Sequence, residues 1–181
     1  MTYAVEPSLD YIGLIAGNGI YPETFAAAAR RAGVKRLVAA AFENETKPEL
    51  AASMDAVAWF RVGQLGKMIK FFKAQGVTQA VMVGQIAPKN LFDLRPDMRT
   101  LLMLARLKQR NAETLFGGIA DELAKDGITL LPATTFLEHL MPPAGLVAGP
   151  KIKDRRWEDA RCGWKIAKEC RRLDFDQTVV V

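Results

Sequence analysis

The strongest constraint on this chain is a repeated order: a short apolar run, a turn, then a stretch with helical spacing. The first instance reads Tyr11-Ile12-Gly13-Leu14-Ile15-Ala16, then Gly17-Asn18-Gly19-Ile20-Tyr21-Pro22, then Glu23 to Gly33. Apolar strands that alternate with helices imply a parallel sheet covered on both faces, the open α/β class. The pattern predicts strands at 11–16, 36–42, 56–62, 79–83 and 128–131. It predicts helices at 22–32, 65–75, 96–110 and 112–125, with short ones at 48–54 and 136–141. Gly33, Gly76 and Gly127 each stand just past a helix, where a left-handed cap is wanted. Crossovers between the strands should be right-handed.

In such sheets ligands bind outside the carboxyl ends of the strands. Three loops meet that condition: Gly17–Pro22, Val62–Lys67 and Gly84–Pro88. The first joins a strand to a helix N-terminus, whose leading N–H groups lack internal partners and suit an anion. It lacks the third glycine of the dinucleotide fingerprint, so a purely structural tight turn accounts for the same residues. Glu43 ends the second strand, about where a ribose-binding acid stands in a nicotinamide protein, which keeps an NAD-binding oxidoreductase open. Gly63-Gln64-Leu65-Gly66-Lys67 is not a Walker A loop, since Met68 replaces Ser or Thr. Lys67 in a first helical turn opposes the helix dipole, a small cost that a bound phosphate would remove. In the third loop, Gln85 and Asn90 suit a uracil edge, and Lys89, Arg95 and Arg99 suit phosphates. A well-capped loop without a ligand is the alternative.

Other chemistries are set aside. The serines are Ser8 and Ser53, neither in a nucleophile turn. His139 is the single histidine and sits in an apolar stretch read as packed rather than catalytic. No Cys/His cluster has zinc spacing. Cys162 and Cys170 fall eight residues apart in one predicted helix. That separates them by about 12 Å along the axis, too far for a disulfide, and reduced thiols in the cytosol are the simple reading. No apolar run has the length of a membrane span, and the start lacks the pattern of a signal peptide.

Residues 1–141 are read as the ligand-binding domain and 142–153, rich in Pro and Gly, as a linker. Residues 154–181 are read as a connecting helix and the first strand of a further, truncated domain. Between Lys151 and Arg172 stand nine Lys or Arg against four Asp or Glu, an excess equal to the whole chain's net charge of +5. That basic stretch suits an acidic lipid surface, a nucleotide or a solvated helix face. The predicted helix at 154–173 carries two apolar stripes: Trp157, Ala160, Trp164 and Ala167 on one side, Cys162, Ile166, Cys170 and Leu173 opposite. A helix apolar on two sides is expected between two bodies, so a C-terminal domain or a second copy of the chain should cover one stripe. Asp174 and Asp176 are read as exposed carboxylates at a strand entry rather than as metal ligands.

Several motifs, in order, resemble one family. They are Gly13-Leu14-Ile15-Ala16-Gly17-Asn18-Gly19, Val62-Gly63-Gln64-Leu65-Gly66-Lys67, Val83-Gly84-Gln85-Ile86, Arg95-Pro96-Asp97-Met98-Arg99 and Arg172-Leu173-Asp174-Phe175-Asp176-Gln177. Together they resemble the LpxI-type UDP-2,3-diacylglucosamine pyrophosphatases of lipid A synthesis. The resemblance implies a Rossmann-like N-terminal domain joined to a C-terminal domain, with the substrate between them. It implies cleavage of the pyrophosphate by water with a divalent metal, Mg or Mn, giving UMP and a lipid sugar phosphate at the inner membrane. The expected setting is a cytoplasmic protein, peripheral at that membrane, with no nucleic-acid partner. The expected substrate-facing residues are Gly17, Asn18, Gly19, Tyr21, Gln64, Gly66, Lys67, Gly84, Gln85, Ile86, Lys89 and Arg99. No catalytic residue is assigned in this chain, because the family's acidic catalytic residue lies in the C-terminal domain. The family also usually carries an Asp-Asp pair where Ala112-Glu113 stand, and an Arg where Gly117-Gly118 stand. A non-catalytic nucleotide-sugar binding module is the alternative function, and a homo-oligomer through the 154–173 helix is the alternative to a second domain.

Overall fold

The sheet is built from β1 (Tyr11–Ala16), β2 (Arg36–Phe42), β3 (Ala56–Phe60), β4 (Gln79–Val83) and β5 (Thr129–Leu131). All neighbouring strands are parallel, in the order β3-β2-β1-β4-β5. β1 lies centrally, with Leu14 level with Ala39 of β2 and Val81 of β4. The helices are α1 (Tyr21–Arg31), α2 (Leu65–Ala74), α3 (Met98–Arg106), α4 (Ala112–Lys125) and α5 (Asp154–Leu173). This computed structural model describes residues 10–86, 96–107, 112–145 and 147–173. It divides into two units, Met1–Leu140 and Met141–Val181. The open parallel α/β sheet with helices is the architecture that the alternating pattern predicts.

Side chains alternate across the strands and so fill two separate cores. On one face Ile12, Leu14, Leu37, Ala39 and Val81 pack with Phe25, Ala26 and Ala29 of α1. On the other, Ile15, Val38, Phe42 and Ala80 pack with Met68, Ile69 and Phe72 of α2, Met103 of α3 and Leu123 of α4. The caps expected at Gly33, Gly76 and Gly127 are present, with φ of 91°, 72° and 76°.

Several boundaries differ from expectation. β3 ends at Phe60 rather than at residue 62. The Arg61 N–H leaves the ladder and donates to Gln64 Oε1 at 3.1 Å. α3 begins at Met98, where Asp97 caps it by accepting from the Thr100 N–H at 3.0 Å. It ends at Arg106 rather than at residue 110, and Leu107 is already extended. The short helix expected at 136–141 is a single 3₁₀ turn, Glu138–Leu140. His139 is exposed there rather than packed, and it is Leu137, just before the turn, that enters the core.

The second unit is dominated by α5. Cys162 and Cys170 are free thiols. Trp157, Trp164 and Ile166 are exposed, and the Lys168 ammonium lies 5.2 Å from the Trp164 ring centroid. Asp174 and Asp176 lie outside the described residues. No helix among the described residues is long and apolar enough to cross a membrane.

Candidate ligand site at the strand ends

The chain passes from β1 outward through β2 and β3, then returns to place β4 on the other side of β1. The crevice between β1 and β4 is therefore the topological switch point, where open sheets receive ligands. Here the two loops that flank it are joined. Gly17 donates its N–H to the Val83 carbonyl at 2.8 Å, Asn18 to the Gln85 carbonyl at 2.7 Å, and Gln85 back to the Asn18 carbonyl at 3.0 Å. The glycines make this approach possible. A Cβ on Gly17 would lie 2.7 Å from the Gln85 backbone. A Cβ on Gly84 would lie 2.7 Å from the Asn18 carbonyl oxygen, and Gly84 also has φ of 91°. Two glycines of the expected phosphate cradle thus serve a loop-to-loop contact. Gly19, with φ of 100°, remains in open space beside the exposed Ile20 and Tyr21 at the start of α1. Its N–H is held by Asn18 Oδ1 at 2.6 Å.

The loop before α2 is organised by one carboxylate. Asp97 Oδ1 caps α3, while its Oδ2 accepts from the Gly66 N–H at 2.7 Å and the Lys67 N–H at 3.2 Å. A carboxylate thus already occupies the N-terminus of α2, the place read as a phosphate site. Burial pushes the Asp97 carboxyl up, but the hydrogen bonds from Thr100, Lys67 and Gly66 outweigh it and hold the group below its ordinary value. The Thr100 hydroxyl donates to the Gly63 carbonyl and receives the Leu65 N–H, which closes the same junction. Two segments that are distant in sequence, Gly63–Lys67 and Asp97–Thr100, are therefore partners in space, while Arg95 lies outside the described residues.

Arg99 faces α4. Its Nε donates to Glu122 Oε2 at 2.7 Å, its Nη1 to Asp126 Oδ2 at 2.5 Å and its Nη2 to the Glu122 carbonyl at 2.8 Å. Reaching a phosphate would mean giving up these bonds. Lys125 also pairs with Glu122, and Lys73 of α2 pairs with Asp126 at 2.7 Å. The Lys125 and Arg99 hydrogen bonds hold Glu122 below the usual carboxylate range, and those from Lys73 and Arg99 do the same for Asp126. Glu43, the candidate ribose acid, is paired with Arg61 at 3.1 Å.

Beneath the strand ends, on the α2/α3/α4 face, lies a cavity of about 570 Å³. Gly17, Gln64, Gly84, Gln85 and Ile86 line it, which brings five of the expected residues together. Asn18, Gly19, Tyr21, Gly66, Lys67 and Arg99 are not in the lining, and Lys89 and Asn90 lie outside the described residues. The sequence reading missed Thr100, Met68, Met82, Met103, Phe116 and Ile119, which are among the other residues of the wall. It also missed Asp97 as an organising group, although an Asp three residues before Thr100 at a helix start is a capping signal. Among the described residues no group of three or more His, Cys, Asp or Glu is arranged to hold a metal ion. The carboxylates gathered here are committed to N–H groups and cations, so this part of the chain does not fit a divalent metal.

The description "LpxI N-terminal domain" matches residues 11–140. The chain is 25% identical over 173 residues to the UDP-2,3-diacylglucosamine pyrophosphatase LpxI of Caulobacter vibrioides. That match covers 94% of this chain and 61% of the relative, so the chain spans about three fifths of its length. Among solved structures, a Rhizobium etli pyruvate carboxylase variant crystallised with acetyl coenzyme A aligns with a TM-score of 0.43 at 14% identity, covering 81% of this chain and 14% of that one. The match over residues 11–140, which includes the whole sheet and both joined loops, places this chain in the LpxI family.

Proposed function

We propose that this chain is the substrate-binding portion of a metal-dependent UDP-2,3-diacylglucosamine pyrophosphatase, which releases UMP and a lipid sugar phosphate in lipid A synthesis. The observation that carries the reading is the cavity at the switch point, walled by loops that also carry the family's motifs. In this reading Gly19, Tyr21 and the first turn of α1 face the pyrophosphate, with Lys67 as a nearby cation. Gln64, Gln85 and Ile86 face the sugar and its substituents, and Gly66 and Arg99 act by holding α2 and α3 in place. The Mg or Mn ion would be held by residues other than the described ones. A lipid substrate brings the protein to the cytoplasmic side of the inner membrane, where the basic 151–172 stretch suits acidic lipid. A second copy or a C-terminal domain would cover α5.

A second reading, a nucleotide-sugar binding module without catalysis, is favoured by the engaged state of the carboxylates: Asp97 is held by backbone N–H groups, and Glu122 and Asp126 are ion-paired. Calorimetry of this chain with UMP, UDP-sugars and NAD separates the ligands. The UDP-sugar should bind and NAD should not. UMP release from UDP-2,3-diacylglucosamine, with and without Mg or Mn, by a protein as long as the Caulobacter relative then tests the reaction. Binding without release would select the module.

A further inference from the structure

We propose that the cavity beneath the strand ends is the seat of an acyl chain rather than of the nucleotide. This rests on the reading that the ligand is a diacylated lipid, and it assigns one part of that ligand to one place. The volume of about 570 Å³ is that of a ligand site, within the usual range of about 300–1,000 Å³. Its chemistry is what selects the occupant. No Asp, Glu, Lys, Arg or His is among the lining residues, so a pyrophosphate has no counter-charge inside.

The buried polar groups in the wall are largely spent, and the Gln85 side chain lies at the exposed rim. The Thr100 hydroxyl donates to the Gly63 carbonyl and accepts from the Leu65 N–H, and Gln64 Oε1 accepts from the Arg61 N–H. The Gln85 backbone is bonded to Asn18 in both directions. A uracil ring placed inside would leave buried donors and acceptors unpaired, at a cost an alkyl chain does not incur. Met68, Met82 and Met103 supply unbranched, adaptable walls, which suit a flexible chain that has no fixed shape of its own. The lining reaches the surface through Ile86 and Phe116, 36% and 53% exposed, so an apolar chain has an apolar way in.

The test uses this chain with cis-parinaric acid, whose fluorescence rises when its hydrocarbon is buried. Saturable binding is expected, displaced by myristic acid and not by UMP. Met82→Trp and Ile119→Trp fill the cavity from half-buried positions and should weaken parinarate at least tenfold. Leu102→Trp, on the exposed side of α3, should leave binding unchanged. Labelling of the wild-type chain with a photoreactive diazirine fatty acid, followed by peptide mapping, gives a readout that does not depend on the variants folding. Label should fall on segments containing Met82, Met103 or Ile119. Absence of saturable binding, displacement by UMP but not by myristate, or label confined to other segments would overturn the proposal. UMP release is a separate measurement. Acyl binding without release removes the pyrophosphatase reading alone, and release without acyl binding removes this one alone.

Discussion

The two faces of the sheet solve the same covering problem with different materials. The α1 face is packed with small residues: Ala26, Ala28 and Ala29 of the helix meet Ala16, Ala39 and the branched chains of β1, β2 and β4. Small side chains bring helix and sheet close and fill the space between them. The opposite face uses Met68, Met82, Met103, Phe42 and Phe60 beneath three helices, and it contains the cavity. α3 and α4 are held there by the Arg99 ion pairs and the Asp97 cap as well as by burial. One face is therefore built for stability, and the other trades packing for space that a ligand can fill.

Substitutions should expose that difference. Phe25→Ala, at a fully buried ring of the α1 face, should cost the most, about 3–5 kcal/mol by urea unfolding. Gly84→Ala should follow at about 2–3 kcal/mol, since it combines overpacking against Asn18 with a left-handed backbone. Gly33→Ala, with φ of 91° but nothing within 4 Å, isolates the backbone part and should cost nearer 1 kcal/mol. Asp97→Ala removes acceptors from two helix N-termini and should cost about 2 kcal/mol. Ile119→Ala, at a half-buried position on the cavity wall, should fall at the low end for such a change, about 2 kcal/mol, because fewer of its atoms are packed than at Phe25. An Ile119 cost equal to that of Phe25 would erase the distinction between the faces.

Acidity sharpens the same comparison. Asp97, Glu122 and Asp126 have folded-state pKa values below their ordinary ones. Their contribution is fully present above the unfolded values, near pH 4, and is lost as pH falls through the lower folded values. Acid titration followed by hydrogen exchange should therefore release α3 and α4 before the sheet. Arg99→Gln should shrink the part of that loss due to Glu122 and Asp126.

Much of the fold was legible because burial imposes periodicity. The ends of β1, β2, β4, α4 and α5 coincide with the apolar runs that defined them. β3 ended and α3 began elsewhere because Gln64 and Asp97, polar side chains reaching across a turn, decided the boundary. The site was legible in position and not in role. Glycines at 17 and 84 mark strand-end loops in the sequence, yet what they admit is another loop, a contact that no local pattern encodes. The cavity is made of residues such as Met82 and Leu130 that read individually as ordinary core. A hollow is a property of their sum.

Asp97 has a consequence for how such a chain can change over generations. Its carboxylate oxygen lies 3.0 Å from where a Cβ on Gly66 would stand. A side chain at 66 crowds the carboxylate and, at 3.3 Å, the Arg99 Cβ, and a residue without a carboxylate at 97 relieves the closer of these contacts. The two positions form one heritable unit: neither varies freely while its partner stays, and a lineage that alters one is under pressure to alter the other.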